Sequence, residues 1–175
     1  MIQIRQRRKR QFEALLSQHR GIVLKVASAY ASAGEDRRDL AQEIAIQLWR
    51  AFPAYDPARS FSTWMYRIAL NVGISQLRRD QARRRRFEPL MDDHLAHFQT
   101  VDVADEPDRR LAQLESFIAA LDELNRALIV LYLEERSYAQ IAEILGLSET
   151  NVATKLSRIK QQLRGRLVAL DSERR

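Results

Sequence analysis

The 175-residue chain has no cysteine, so neither a disulfide nor a thiolate metal site can be part of it. Its three histidines, His19, His94 and His97, are too scattered for ligand spacing, and no metal or cofactor is expected. Only five glycines and four prolines interrupt the chain. Such sparse turn punctuation favours helices over strands and turns. No apolar run reaches membrane-spanning length and no signal-peptide core opens the chain, so a soluble cytoplasmic protein without membrane contact is expected. Candidate acid–base pairs are equally thin: Asp92 and Asp93 stand in an aperiodic stretch with no rigid element to hold them. No catalytic residue is expected, and the protein is read as a non-enzyme.

What the chain does have is charge, unevenly placed. A formal net charge of +6 suits a polyanionic partner without proving one. Arg5, Arg7, Arg8, Lys9 and Arg10 form one basic block, and six arginines against the single Asp80 form another at 78–86. Between 87 and 125 the sign reverses, with ten acidic residues facing only Arg109 and Arg110. Basic blocks separated by an acidic one indicate two modules and a connector.

Apolar spacing supplies the elements. Phe12, Leu15, Leu16, Ile22, Val23, Val26, Ala27 and Tyr30 recur with helical period, and Gly34 is the expected stop. A second helix, starting near Asp36 or Arg37 with Asp36 as its cap, runs to about Phe52 and buries Leu40, Ile44, Leu48 and Phe52. Pro53 and Pro57 bracket a loop over 53–60. A third helix follows from about Phe61 to the arginines. From Glu88 to Pro107 periodicity vanishes, which predicts a linker. Helical period returns with Leu111, Leu114, Ile118, Leu121, Leu128 and Leu131. The expected fold is all-α: two small helical domains, 1–86 and 110–175, joined by an acidic linker at 87–109, the C-terminal one a helix-turn-helix.

The helix-turn-helix rests on the run from Ser137 to Val152. Ser137 with Gln140 three residues on is a capping box. Ile141 and Leu145 point inward, Ala142 leaves room for a crossing helix, Gly146 can take the positive φ of a tight turn, and Leu147 plugs the junction. Ser148 caps a second short helix whose Val152, Leu156, Ile159 and Leu163 share one side. Thr150, Thr154, Ser157 and Gln161, flanked by Asn151, Lys155 and Arg158, occupy the other. Short polar groups suit base edges and cations suit phosphates, so this face reads as a recognition surface. A helical hairpin with a solvated polar face would show the same polarity without the capping and glycine spacing.

Two further stripes lie in the N-terminal module. Asp39, Gln42, Glu43, Ile46 and Arg50 run along the second helix opposite its buried side. An ordinary solvated face would look alike. On the third helix Trp64, Arg67, Asn71, Ser75 and Arg78 align, placing an exposed indole above cations and an amide, a combination suited to unpaired bases. The alternative is a Trp64 in the core with a solvated arginine tail.

The segments Asp39-Leu-Ala-Gln-Glu-Ile-Ala-Ile-Gln-Leu-Trp49, Tyr55-Asp-Pro57 and Phe61-Ser-Thr-Trp-Met-Tyr-Arg-Ile-Ala-Leu-Asn71 resemble the sigma-70 family, specifically its extracytoplasmic-function (ECF) group. Tyr138 to Arg164 resembles the second DNA-binding domain of the same proteins. The resemblance covers nearly the whole chain in the right order. It implies a sigma factor that directs promoter-specific transcription initiation and has RNA polymerase core as partner, through the β′ clamp helices and β flap, with promoter DNA as both duplex and melted non-template strand. It also leaves room for an anti-sigma factor. By residue, it implies core docking at Asp39, Gln42, Glu43 and Ile46, −10 contacts at Phe61, Trp64, Arg67, Asn71 and Arg78, and −35 contacts at Thr150, Asn151, Thr154, Lys155, Ser157 and Arg158. The family often has Asp-Pro-x-x-Gly-Ser-Phe in its base-holding loop. Here the loop reads Asp56-Pro-Ala-Arg-Ser-Phe61, one residue shorter and without the glycine. The competing reading is a helix-turn-helix regulator that acts without polymerase and binds duplex tightly by itself.

Overall fold

The computed structural model describes residues 2–31, 34–87 and 106–172. Among these every regular element is helical: α1 (Ile2–Gln18), α2 (Arg20–Tyr30), α3 (Gly34–Ala51), a 3-10 turn (Phe52–Ala54), α4 (Phe61–Phe87), α5 (Glu106–Ala120), α6 (Glu123–Leu133), α7 (Tyr138–Leu145) and α8 (Glu149–Ser172). The all-α expectation holds. The chain divides into two compact units: the first holds the residues up to Arg79 together with Glu143–Leu145, and the second holds those from Asp80 to Ala142 and from Gly146 onward.

In the first unit α2 packs on α3, and α3 runs into the 3-10 turn. The core collects Phe12 from α1, Ile22, Val23, Val26, Ala27 and Tyr30 from α2, Leu40, Ile44 and Leu48 from α3, and Phe61, Met65, Tyr66, Ala69 and Leu70 from α4, with Phe52 between them. Those of α1, α2 and α3 are positions that helical period assigns to the inside, and burying the larger aliphatic and phenylalanine side chains contributes about 1.5–3 kcal/mol apiece before entropy is counted. Gly73 of α4 is buried against Tyr30, so the two helices cross at close range there.

Two boundaries differ from expectation. The helix over Phe12–Tyr30 is broken at His19, whose N–H still donates to Leu15 O at 3.1 Å while its own carbonyl accepts from Ile22 N–H at 3.0 Å. Leu15 and Ile22, like Leu16 and Val23, are seven residues apart, so a break between them leaves the apolar phase almost unchanged. Gly34 does not end a helix but opens α3, whose first turn carries Glu35 and Asp36 near the positive end of the helix dipole. The stop of α2 comes at Ala31, which turns to extended backbone.

In the second unit α6 packs against α8 and α5 against α6, burying Phe117, Ala127, Leu128, Leu131, Ile141, Ala142, Val152, Leu156 and Ile159. The period that begins at Leu111 does not run unbroken to Leu131. It stops after Ala120, and Asp122 caps α6 by accepting from Asn125 N–H at 2.8 Å. Leu121 and Leu128, again seven apart, hide this break. Leu111 is exposed, and Phe117 takes the buried place on α5.

Arg126 is buried, with its guanidinium donating to Ala119 O and, at 3.1 Å, to Leu121 O. A cation thereby satisfies carbonyls left over at the end of α5. α6 ends in a Schellman motif, with Arg136 N–H bonded to Leu131 O at 3.2 Å and Glu135 N–H to Tyr132 O at 3.0 Å. The left-handed position of that motif is held by Glu135, φ 56°, where glycine is usual. Lys160 ties α8 to its neighbours, lying 4.5 Å from the Tyr132 ring centroid and donating to the Tyr138 hydroxyl at 3.4 Å. The expected linker falls mostly on 88–105, outside the described residues, while Glu106–Arg109 belong to α5.

Candidate nucleic-acid and polymerase interface

Leu40, Ile44 and Leu48 turn one side of α3 inward, which leaves the opposite side to Asp39, Gln42 and Ile46. Asp39 and Gln42 are exposed, Ile46 is 38% exposed, and Glu43 is half-buried. The Glu43 carboxylate accepts from Gln47 Nε2 at 2.7 Å. This partner was not singled out in the sequence, although an i,i+4 glutamate–glutamine spacing allows it.

The loop before α4 is closed by its own side chains. Asp56 Oδ1 accepts from Ala58 N–H at 2.9 Å, Asp56 O from Arg59 N–H at 3.0 Å, and the Tyr55 hydroxyl donates to Arg59 O at 2.8 Å. Ser60 caps α4 by accepting from Thr63 N–H at 3.4 Å. Among the described residues positive φ occurs only at Glu135 and Gly146. The shortened loop therefore needs no left-handed residue, and its missing glycine has no conformational cost.

Trp64 does not stand free above the cations as expected. It is half-buried within an aromatic cluster, with ring centroids 5.1 Å from Tyr55, 5.2 Å from Phe61 and 6.3 Å from Phe52. The loop residue Tyr55, which a helical-wheel reading of α4 alone leaves out, folds back to supply this company. Phe61 is only 7% exposed and meets Tyr55 edge-on at 5.3 Å. Its ring supports the cluster from inside rather than standing on the surface. Arg67, Asn71, Ser75 and Arg78 are exposed.

The two stripes of this unit, read from sequence as separate faces, meet. Glu43 and Gln47 of α3 and Asn71, Ser75 and Arg79 of α4 line one open groove, with Ala51, Ile68 and Val72 also contributing. Two carbonyl-bearing amides, a carboxylate and a guanidinium thus border the same depression, beside an apolar floor.

In the second unit the turn forms as the residues require. Ser137 Oγ accepts from Gln140 N–H at 3.2 Å while Gln140 Oε1 accepts from Ser137 N–H at 3.0 Å. Gly146 has φ 69°, Leu147 N–H reaches back to Ala142 O at 3.0 Å, and Ser148 Oγ caps α8 through Asn151 N–H at 3.2 Å. Val152, Leu156 and Ile159 are buried, and Leu163 is half-buried. Thr150, Asn151, Thr154, Ser157 and Arg158 are exposed and Lys155 half-buried. Thr154 Oγ1 donates to Thr150 O at 2.9 Å, so its proton is committed to the helix and its oxygen keeps lone pairs with which to accept. α8 is longer than the expected short helix, continuing to Ser172.

Among the described residues no group of three or more His, Asp or Glu side chains is placed to hold a metal ion, and no helix is long and apolar enough to cross a membrane. Asp92, Asp93, His94 and His97 lie outside the described residues.

The sigma-70 region 2 family model matches residues 15–84, and the sigma-70 region 4 model matches residues 111–163. The ECF RNA polymerase sigma factor SigW of Bacillus subtilis is 32% identical over 146 residues, covering 75% of each chain. The RNA polymerase sigma factor CnrH of Cupriavidus metallidurans is 30% identical over 174 residues, covering 95% of this chain and 91% of the relative. The ECF sigma factor SigE of Mycolicibacterium smegmatis is 32% identical over 93% of this chain, which spans 63% of that relative's length. In structure, CnrH solved in complex with the cytosolic domain of CnrY superposes with a TM-score of 0.67 at 25% identity, over 92% of this chain and 90% of that one. The chain belongs to the sigma-70 family of RNA polymerase sigma factors, within its extracytoplasmic-function group.

Proposed function

We propose that the chain works as a sigma subunit: it binds core RNA polymerase, addresses it to promoters and helps open the DNA, with no catalysis of its own and in the cytoplasm. The observation that carries this reading is the presence of region 2 and region 4 matches, in that order, on non-overlapping helical stretches of one chain. A regulator acting on duplex without polymerase has use for the α7–α8 unit but none for the α3 stripe or the aromatic loop.

Roles follow from chemistry. Asp39, Gln42, Glu43 and Ile46 form the docking surface for the β′ clamp helices. Gln47 holds the Glu43 carboxylate in place, and the apolar Ile46 adds buried area beside charged hydrogen bonds. Trp64, braced by Tyr55 and Phe61, offers a stacking edge to an unpaired base of the −10 element, with Arg67, Asn71 and Arg78 following the strand. Phe61 acts here through the cluster that it supports. Because Asn71 and Glu43 share a groove, the DNA strand and the polymerase would be held side by side, which couples docking to opening. On α8, Thr150, Asn151, Thr154, Lys155, Ser157 and Arg158 face the −35 duplex, Thr154 as an acceptor or methyl contact and Arg158 as a cation. The β flap is the second polymerase contact, and residues 88–105, between α4 and α5, act as the linker between the two domains. CnrH was solved with a bound protein partner, and an anti-sigma partner is proposed here on that likeness.

The test is reconstitution: core RNA polymerase plus this protein should initiate at specific promoters, and core alone should not. Sequence-specific, tight duplex binding by the free protein with no effect on core would favour the regulator reading.

A further inference from the structure

The first described side chain of α1 to reach the core is Phe12; from Arg5 to Gln11 every side chain is exposed. Arg5, Arg7, Arg8, Lys9 and Arg10 fall in this stretch, which contains no apolar residue. At about 100° per residue the five cations surround the helix instead of forming a stripe. Such an arrangement disfavours the helix that carries it. Arg5 repels Arg8 and Lys9, Arg7 repels Arg10, and the first turn has no acidic residue to meet the positive end of the dipole. Lys9 has Glu13 at 3.7 Å, but among the described residues no carboxylate pairs with Arg5, Arg7, Arg8 or Arg10. The region 2 match begins at residue 15, so this segment lies outside the two matched stretches.

We infer that residues 5–10 of α1 form an additional site for the phosphate backbone of duplex DNA, which holds the DNA without reading its bases. Three features select this ligand. Positive charge on all sides suits a helix flanked by phosphates on both walls of a groove, since the major groove of B-DNA admits an α-helix. An anionic lipid surface instead favours a helix with one apolar face, which this stretch lacks. Phosphates also relieve the repulsion among the arginines, so the helix is stabilised by the ligand it binds. The inference rests on the sigma-subunit reading, which is what brings this helix to promoter DNA.

The test uses holoenzyme made from core polymerase and the full chain, carrying Arg5→Gln, Arg7→Gln, Arg8→Gln and Arg10→Gln together. None of the four side chains is in the core, and removing repulsion should leave the fold intact, as a thermal melt of the free protein will show. Binding to a duplex promoter fragment is measured across a salt series. Each lost phosphate contact makes the slope of log K against log salt shallower by about 0.9, so a change of roughly 2 to 4 is expected, with promoter choice unaltered. The matching fourfold Arg→Lys variant should keep the original slope. An unchanged slope in the glutamine variant, while the unaltered holoenzyme initiates normally, overturns this site and leaves the sigma reading standing. Failure of the unaltered protein to direct any initiation is the separate failure of that reading. Arginine-dependent binding to phosphatidylserine vesicles together with an unchanged DNA slope would assign the segment to a membrane surface and overturn the DNA site.

Discussion

Gly73 of α4 lies flat against the ring of Tyr30: a Cβ at position 73 would fall 2.9 Å from both Cγ and Cδ2 of that ring. Their contact sets how closely α2 and α4 approach, and α4 carries Trp64, Arg67 and Asn71. Alanine would favour an isolated helix by about 1 kcal/mol. Here Gly73→Ala should instead destabilise the first unit by about 1–3 kcal/mol through overpacking. Urea unfolding checks the sign. A Tyr30→Ala background should remove most of the further loss from Gly73→Ala, because the clashing Cγ and Cδ2 are then absent.

Glu135 occupies a left-handed position that costs a side-chain-bearing residue about 1–2 kcal/mol. Glu135→Gly should therefore raise stability by roughly 0.5–1 kcal/mol, net of glycine's greater unfolded-state freedom. The urea midpoint should move up with an unchanged m-value. Promoter binding should be unaffected.

Arg126→Met keeps much of the buried stem and removes the donors to Ala119 and Leu121. A loss of about 1.5–3 kcal/mol is expected, as for hydrogen bonds from a charged group. Hydrogen exchange should quicken first at the end of α5.

The hydrogen bond to Tyr138 raises the Lys160 pKa above the ordinary lysine value, with desolvation opposing it. A raised folded-state pKa stabilises fully below the unfolded value and is lost as pH rises through the folded one. The stability difference between the native protein and Lys160→Gln should thus be flat across neutral pH and shrink only above about pH 10.4. Thermal melts over that range test it.

Where an element's signal is local, the sequence already shows it. The capping box at Ser137–Gln140, Gly146 in its turn and the inward Val152, Leu156 and Ile159 are all readable because each depends on neighbours within a few residues. The buried faces of α2 and α3 are readable for the same reason. The breaks at His19 and Leu121 are not, because apolar residues seven apart keep their phase across a helix interruption. Tertiary company is the other blind spot. Tyr55 and Phe61 meet Trp64 only when the loop folds back, so an indole expected to stand free is half enclosed. The groove shared by Glu43 and Asn71 joins two helices whose stripes look independent when each is read alone.

Reversing charge at Asp39 and Glu43 together should weaken core binding by roughly 1–3 kcal/mol; Asp39 is exposed, so the small fall expected in the thermal melt comes from Glu43, which is half-buried and loses its bond from Gln47. Gln47→Ala should give a smaller loss in the same direction by freeing the Glu43 carboxylate. Fluorescence-detected binding to core polymerase measures both.

The proposed division between opening and address is tested most directly by comparing Trp64→Ala and Arg158→Ala holoenzymes on duplex and pre-melted promoters. Trp64→Ala removes a stacking surface worth about 1–3 kcal/mol per base, so it should still find the promoter but open it poorly, and a pre-melted −10 element should restore much of its initiation. Arg158→Ala should weaken the closed complex, and pre-melting should help it far less. Equal rescue of the two variants by pre-melting would contradict the assignment of opening to the α4 face and address to α8.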